Sequence, residues 1–507
     1  MSKLSNLRKL KCGLEIHSQL NTKKKLFSLS STPNLSTPPN TTVSFFDLGL
    51  PGTQPKLNLE AVLFAVKTSI ALNCRINPCF TFDRKHYFYG DQPLGYQITQ
   101  HYNPIAKDGF LELSPKYDGA ELKEPCRIRI EQLQLEQDTG KSIYKLNNGT
   151  SQIDFNRADV PLIEMVTKPD FQNIDQVKAF IKKFQYTLKN LGVCTGELET
   201  GAMRVDVNIS VDDNARIEMK NLPTTSAVTH AIRYEYKRQC KILDQGGKIS
   251  QQETRGWDGK MTVKLRSKEG AIEYRYMPDP ELNNIKLNID DLVRNIKPNM
   301  PKTIDERLEV LLASPYNLKL RDANILVSNE ELLEYYNELY ELTVIKGKVS
   351  KNPINWLTHE LMGCLSRSNK EFNKDLIKVD KLSELIIAND AKIINNNNTK
   401  LLLLHLINNP QDQNEPISKL IKEYDLANGQ QSDGNSTSDN KSGDDNSELV
   451  GIVCNVIKDN GKVVDEIKEK GKIKKINFLI GQCMRSSGGK CDPSTFERLI
   501  KKELELV

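Results

Sequence analysis

The sequence predicts an α+β protein in which an antiparallel-sheet domain is followed by an all-α helical domain and a small helical tail. Three observations carry this. Residues 12–295 are dominated by short segments of alternating apolar and polar side chains, the pattern of half-buried antiparallel strands. Residues 296–408 switch to helical spacing in RLEVLLASPY, EELLEYYNELYEL, NWLTHELMGCL, KLSELIIA and KLLLLHLI. The 507-residue length is about three times a typical domain of ~150, which leaves room for two to four cores.

The elements follow in order. Residues 1–11 are a basic extension, with Lys3, Arg8, Lys9 and Lys11 and no acid. In Cys12-Gly-Leu-Glu-Ile-His-Ser-Gln-Leu20, Leu14, Ile16 and Leu20 share one face, so Glu15, His17 and Gln19 point to the other. Asn58 caps a helix bearing Leu59, Val62, Leu63, Val66 and Ile70. Between Cys126 and Glu136 the apolar phase shifts from Ile128 and Ile130 to Leu133 and Leu135. This predicts a bulge near Glu131-Gln132 that aims Gln134 and Glu136 together. Glu164 lies inside the apolar run Pro161–Val166, where a buried carboxylate needs a cation or an arginine. A helix capped by Asn173 carries Ile174, Val177, Ile181, Phe184 and Leu188 and stops at Gly192; another spans about 226–245 and closes at Gly246-Gly247. The Asn run at 395–398 reads as a loop and 409–448 as a low-complexity linker. In the tail, 449–507, Pro493 opens a final helix behind Asp492.

Lys plus Arg total 71 and Asp plus Glu 66, a net charge of +5, which excludes nucleic-acid binding by bulk charge. The balance is uneven along the chain. Residues 428–448 hold five acids, one Lys and no apolar side chain, and 449–507 hold 12 basic against 8 acidic residues. The longest apolar run, Leu57 to Cys74, is broken by Glu60 and Lys67, so no membrane partner is expected. Ten cysteines without a C-x-x-C pair predict reduced structural thiols. The N-terminus, acid-free with Ser2 and Ser5, reads either as a short mitochondrial transit segment or as a solvated tail.

Strand alternation also places Arg204, Asp206, Asn208 and Ser210 on one polar face, with Arg216, Glu218 and Lys220 on the next strand. A three-residue loop at Asp212–Asn214 sets Asp206 opposite Lys220, Asn208 opposite Glu218 and Ser210 opposite Arg216. Downstream, Arg255, Lys264, Arg266, Lys268 and Arg275 form a basic group whose guanidinium forks suit phosphate oxygens. Hard oxygen ligands beside a basic rim fit Mg2+ with a nucleoside triphosphate. Neither a P-loop nor a Rossmann signature is present.

These segments together resemble the B subunits of the tRNA-dependent amidotransferases, in a eukaryotic organellar form. Those enzymes convert misacylated Glu-tRNA(Gln), or Asp-tRNA(Asn), to the amide. The resemblance rests on GLEIHSQLNTKKKLFS at 13–28, LGLPGTQPKLN at 48–58, FDRKHYFYGDQPLGYQITQ at 82–100, LEQDTGK at 135–141 and DFNRADVPLIEMVTKPD at 154–170. It continues with GAMRVDVNISV at 201–211, EMKNL at 218–222, QQETRGWD at 251–258, RSKEGAIEYRYMPDPEL at 266–282 and GKIKKINFLIGQCMRSSGGKCDP in the tail.

The resemblance implies a glutamine-synthetase-like cradle that uses ATP and Mg2+ to phosphorylate the tRNA-borne carboxylate. Ammonia from a partner amidase then displaces phosphate, in a heterotrimer with a small third subunit. It implies Glu15, His17, Glu136 and Glu164 as metal ligands, and Asp206, Asn208 and Glu218 on the facing hairpin at the cofactor. Arg204, Lys220, Arg266 and Arg275 fall on the phosphate side, and Lys472, Lys474, Lys475, Arg485 and Lys490 meet Glu-tRNA(Gln).

Three departures stand out. The usual HxEED stretch reads Gln134-Leu-Glu-Gln-Asp138, and glutamine carbonyls would ligate Mg2+ with less charge. Leu94 replaces a lysine in PKGYQ. Ser, Thr and Pro replace the cysteines of a zinc site found in some relatives, so no zinc is expected. Two alternatives to an active enzyme stay open: a tRNA-holding scaffold with a weakened kinase site, and a ligase acting on a free metabolite, in which the basic tail would have no purpose.

Overall fold

The computed structural model describes residues 8–427 apart from 120, 146–148, 268–273 and 369, then 444–461, 464, 467, 476, 479–480, 482–483 and 493–504. It divides into two units, Met1–Val310 and Leu311–Val507. The α+β class is what it shows, with a large sheet in the first unit and helices in the second.

The first unit is organised by a nine-stranded sheet built from β1 (Leu10–Gln19), β2 (Arg75–Ile76), β3 (Ala106–Leu113), β4 (Cys126–Gln137), β5 (Pro161–Thr167), β6 (Met203–Val211), β7 (Ile217–Lys220), β8 (Glu253–Trp257) and β9 (Thr262–Ser267). Their spatial order is β9-β8-β7-β6-β1-β5-β4-β3-β2, antiparallel at every step except β7 with β8. The N-terminal strand therefore lies at the centre, where both of its edges are paired.

Alternation decides which face is buried. Leu14, Ile16, Ile163, Met165, Val205, Val207 and Ile209 enter one core together with helices α1 (Leu59–Ala71), α2 (Ile174–Asn190) and α3 (Thr225–Asp244). The helices start where short polar side chains satisfy free amides: Asn58, Asn173 and Thr224 accept from the backbone of Glu60, Gln176 and Ala227. The buried stripe of α1 is Ala61, Val62, Ala65 and Val66, whereas Leu59 is 73% exposed and Leu63 is exposed too. Small residues face the sheet because they let the helix approach it closely. A three-stranded sheet of Asp83–His86, Tyr96–Thr99 and Met277–Pro278 lies near the end of β4.

Several expectations change. The described end of the extension, 8–11, is built into the fold: Arg8 bonds Asp212 and Asp244 at 3.0 and 2.9 Å, and Lys11 bonds Asp213 at 2.7 Å. The Asn run is a helix start, with Asn395 capping Asn396–Asn408 through the Asn398 amide. The segment from 409, expected as linker, carries the helix Ile417–Glu423, which buries Ile417, Leu420 and Ile421, and Asp444–Asp459 is helical as well. In the tail, Val453, Ile476, Leu479, Cys483, Phe496 and Ile500 share a small core.

Candidate functional site

The polar face of the four central strands gathers the titratable residues. On β1, Glu15 pairs across to Asp206 of β6 and Val166 of β5, and His17 to Arg204 and Glu164. Glu164 in turn faces Gln134 of β4. The register between β5 and β4 slips between Val166 and Thr167, which leaves Glu131 as the extra residue. Beyond that bulge Gln134 and Glu136 share the polar face.

Ligand atoms of Glu15, His17 and Glu164 lie within 4.8 Å of one another. His17 Nε2 is 3.4 Å from Glu136 Oε1 and 3.8 Å from Glu164 Oε2, and Thr99 donates to Glu136 Oε2 at 2.9 Å. Burial opposes a charge on His17, but Glu164, Glu136 and Glu15 outweigh it and push the imidazolium up to about 9. Burial also opposes ionisation of Glu136; His17, Lys85 and Thr99 prevail and hold it at about 2. Glu164 is raised well above the carboxylate range by burial and by the charge of Glu136. Three carboxylates and an imidazole converging in a buried place are short of positive charge. That donor set, hard oxygens with one nitrogen, fits a divalent cation such as Mg2+.

Lys85, on the strand Asp83–His86, is the cation that the sequence reading missed. Burial opposes its charge, while Glu136 and Glu164 raise its affinity for the proton, and its ammonium sits 4.7 Å from the centre of the Tyr274 ring. Tyr276, next to it, stacks on His101 at 3.9 Å. Within FDRKHYFYG the only available signal was a lysine amid aromatics, and nothing in the spacing says that it faces β4.

The basic residues divide. Arg204 donates to Asp138 at 2.9 Å, and Asp138 also accepts from Gln19 at 3.3 Å. Lys220 lies 2.7 Å from Asp206 and 3.3 Å from Glu218, in the register expected, with Asn208 opposite Glu218. Glu218 also accepts from Thr254 at 2.8 Å. Arg266 is placed on β9 opposite Thr254, three strands beyond β6; its side chain lies outside the described residues. Arg275 is exposed, and its carbonyl faces His86 Nδ1 at 2.9 Å. Within the expected basic group, Arg255 bonds Glu253 at 3.1 Å and Lys264 bonds the same carboxylate group at 2.9 Å. Lys268, Lys472, Lys474, Lys475, Arg485 and Lys490 lie outside the described residues.

Gln137 corrects another expectation. It is not aimed at the carboxylate cluster: Oε1 accepts from the Ile98 amide at 2.6 Å, and Nε2 reaches Asp159 at 3.3 Å. Leu94 packs against the core.

Fold and site together define an α+β protein with a cation-ready carboxylate face at the centre of its main sheet. The chain belongs to the GatB/GatE family: the GatB/GatE catalytic domain matches residues 10–293, and the GatB domain matches 338–504. Among its relatives is the mitochondrial B subunit of glutamyl-tRNA(Gln) amidotransferase from Komagataella phaffii. That protein is 48% identical over 505 residues, covering 99% of this chain and 100% of the relative. Proteins of the same name from Scheffersomyces stipitis and Debaryomyces hansenii are 46% and 47% identical, over 99% and 97% of this chain and 97% and 94% of their own length. The chain is a mitochondrial form like these relatives. Among the described residues, no helix is long and apolar enough to cross a membrane.

Proposed function

We propose that this chain is the part of a glutamyl-tRNA(Gln) amidotransferase that activates the tRNA-borne glutamate with ATP. The observation that carries this reading is the Glu15–His17–Glu164 cluster on adjacent central strands, with Glu136 beside it. Glu15, His17, Glu136 and Glu164 would hold Mg2+, which when bound neutralises phosphate oxygens. Lys85 adds a second positive charge at the same carboxylates, and Arg204 and Lys220 line the adjoining strands. The γ-carboxylate oxygen of the glutamyl group attacks the terminal phosphorus, and the bond to the bridging oxygen breaks to release ADP. Ammonia then attacks the acyl carbon, phosphate leaves, and the nitrogen loses a proton.

The ammonia comes from a partner amidase, and a small third subunit completes the assembly. The tail, through Lys472, Lys474, Lys475, Arg485 and Lys490, contacts the tRNA body. No zinc takes part.

The test uses the purified complex with ATP, Mg2+, glutamine and Glu-tRNA(Gln). ADP release and Gln-tRNA(Gln) are expected, and Glu15→Ala or Glu164→Ala abolishes both while tRNA binding is retained. Absence of ADP release from the unsubstituted complex would overturn the reading in favour of a tRNA-holding scaffold.

A further inference from the structure

Glu136 and Glu164 are buried, both lie near His17, and each raises the cost of a charge on the other. Two such groups diverge or take up protons unless donors hold them. One side chain touches the donors of both. Gln134 Oε1 accepts from Gln132 Nε2 at 2.8 Å, which fixes the amide so that its nitrogen faces the carboxylates. That nitrogen donates to Glu164 Oε2 and lies 3.5 Å from Thr99 Oγ1. Thr99 in turn donates a hydrogen bond from its hydroxyl to Glu136 Oε2 at 2.9 Å. The donors therefore run in one direction, from Gln132 through Gln134 to Glu164 and through Thr99 to Glu136. Gln134 and Thr99 each accept from one neighbour and donate to the next, and no charge is added. The Gln134 carbonyl is engaged by Gln132, which leaves it poorly placed to ligate a metal.

We propose that Gln134 is a positioning residue, whose amide sets the spacing of Glu136 and Glu164 so that both close on one divalent cation. This rests on the metal-dependent reading above. The departure at this position thus supplies a neutral clamp on the carboxylates and no ligand of its own.

The test measures Mn2+ binding by electron paramagnetic resonance in the full complex, without ATP or tRNA, for wild type, Gln134→Leu and Gln134→His. The leucine variant is expected to bind Mn2+ about 10–100-fold more weakly. Its Mg2+ half-saturation for ADP release rises accordingly, while kcat recovers at saturating Mg2+ and the melting temperature stays close to wild type. Gln134→His, which regains an N–H donor, recovers part of the affinity. Unchanged Mn2+ affinity in the leucine variant would overturn the proposal. So would a loss of affinity that follows a lower melting temperature and is equal in the histidine variant, since that pattern marks packing. If the wild-type complex binds no Mn2+ that Glu15→Gln removes, the metal-dependent reading fails first and takes this proposal with it.

Discussion

Asp159 shows how much a single buried carboxylate can couple stability to pH. Burial, and then the nearby Asp47, raise it to about 7 from an ordinary 3.8, against the amides of Phe27 and Ser28 that donate to it. Between those two values the folded chain keeps a proton that the unfolded chain has lost. The stabilisation is therefore full below the unfolded value and is lost as pH rises toward 7. Each unit in that window is worth about 1.4 kcal/mol. Asp159→Asn removes this slope, so calorimetry should show the variant gaining roughly 2 kcal/mol on wild type between about pH 5.5 and 7. An equal pH dependence in both proteins would refute the assignment. Sequence alternation already put Glu15, His17 and Asp206 on polar faces, because one strand's period suffices to place them, whereas Glu164 was legible only as a carboxylate inside an apolar run. The phase shift in β4 also put Gln134 beside Glu136, but nothing in the sequence tells that Gln137 turns toward Ile98 and Asp159, since that depends on which segments cover β4.

Among the elements, the stretch between β1 and α1 has little regular structure and is held by a cation that belongs to the chain. Lys25 and Asp47 are fully buried and 2.8 Å apart, and Asp47 also accepts from the Ser44 amide at 2.9 Å and from Ser30 at 3.3 Å. Removing one partner of a buried pair leaves an uncompensated charge and costs about 3–5 kcal/mol. Lys25→Met should therefore lower the melting temperature markedly, and Lys25→Met with Asp47→Leu should recover much of the loss. A double variant no more stable than Lys25→Met alone, read by calorimetry, would refute the assignment. Composition alone did not disclose this pair, because a lysine in the run Lys23-Lys24-Lys25 looks solvated. The Asn395 cap was hidden in the same way: four asparagines read as a loop until the first is seen to accept from the helix that follows.

At the scale of the molecule, the sheet and helical classes were legible because each follows from a repeating period. The approach of the small sheet to the large one was not, for it joins Lys85 and Thr99 to Glu136 across long sequence separations. Charge is where the whole chain bears on the proposed function. A net +5 over 507 residues rules out holding tRNA by bulk charge, and the cations at Arg8, Lys11, Arg204 and Lys220 are already paired. Binding should then depend on salt only weakly, with the logarithm of affinity falling by fewer than about 5 units per unit of log salt. Replacing Lys472, Lys474 and Lys475 together by glutamine should reduce that slope by up to about 3, as each lost phosphate contact removes about one released counterion. The same variant should leave Mn2+ binding at the carboxylate cluster unchanged. A filter-binding series from low to physiological salt decides it: a slope unaffected by the three substitutions would mean that the tRNA body is held elsewhere, by shape and hydrogen bonding.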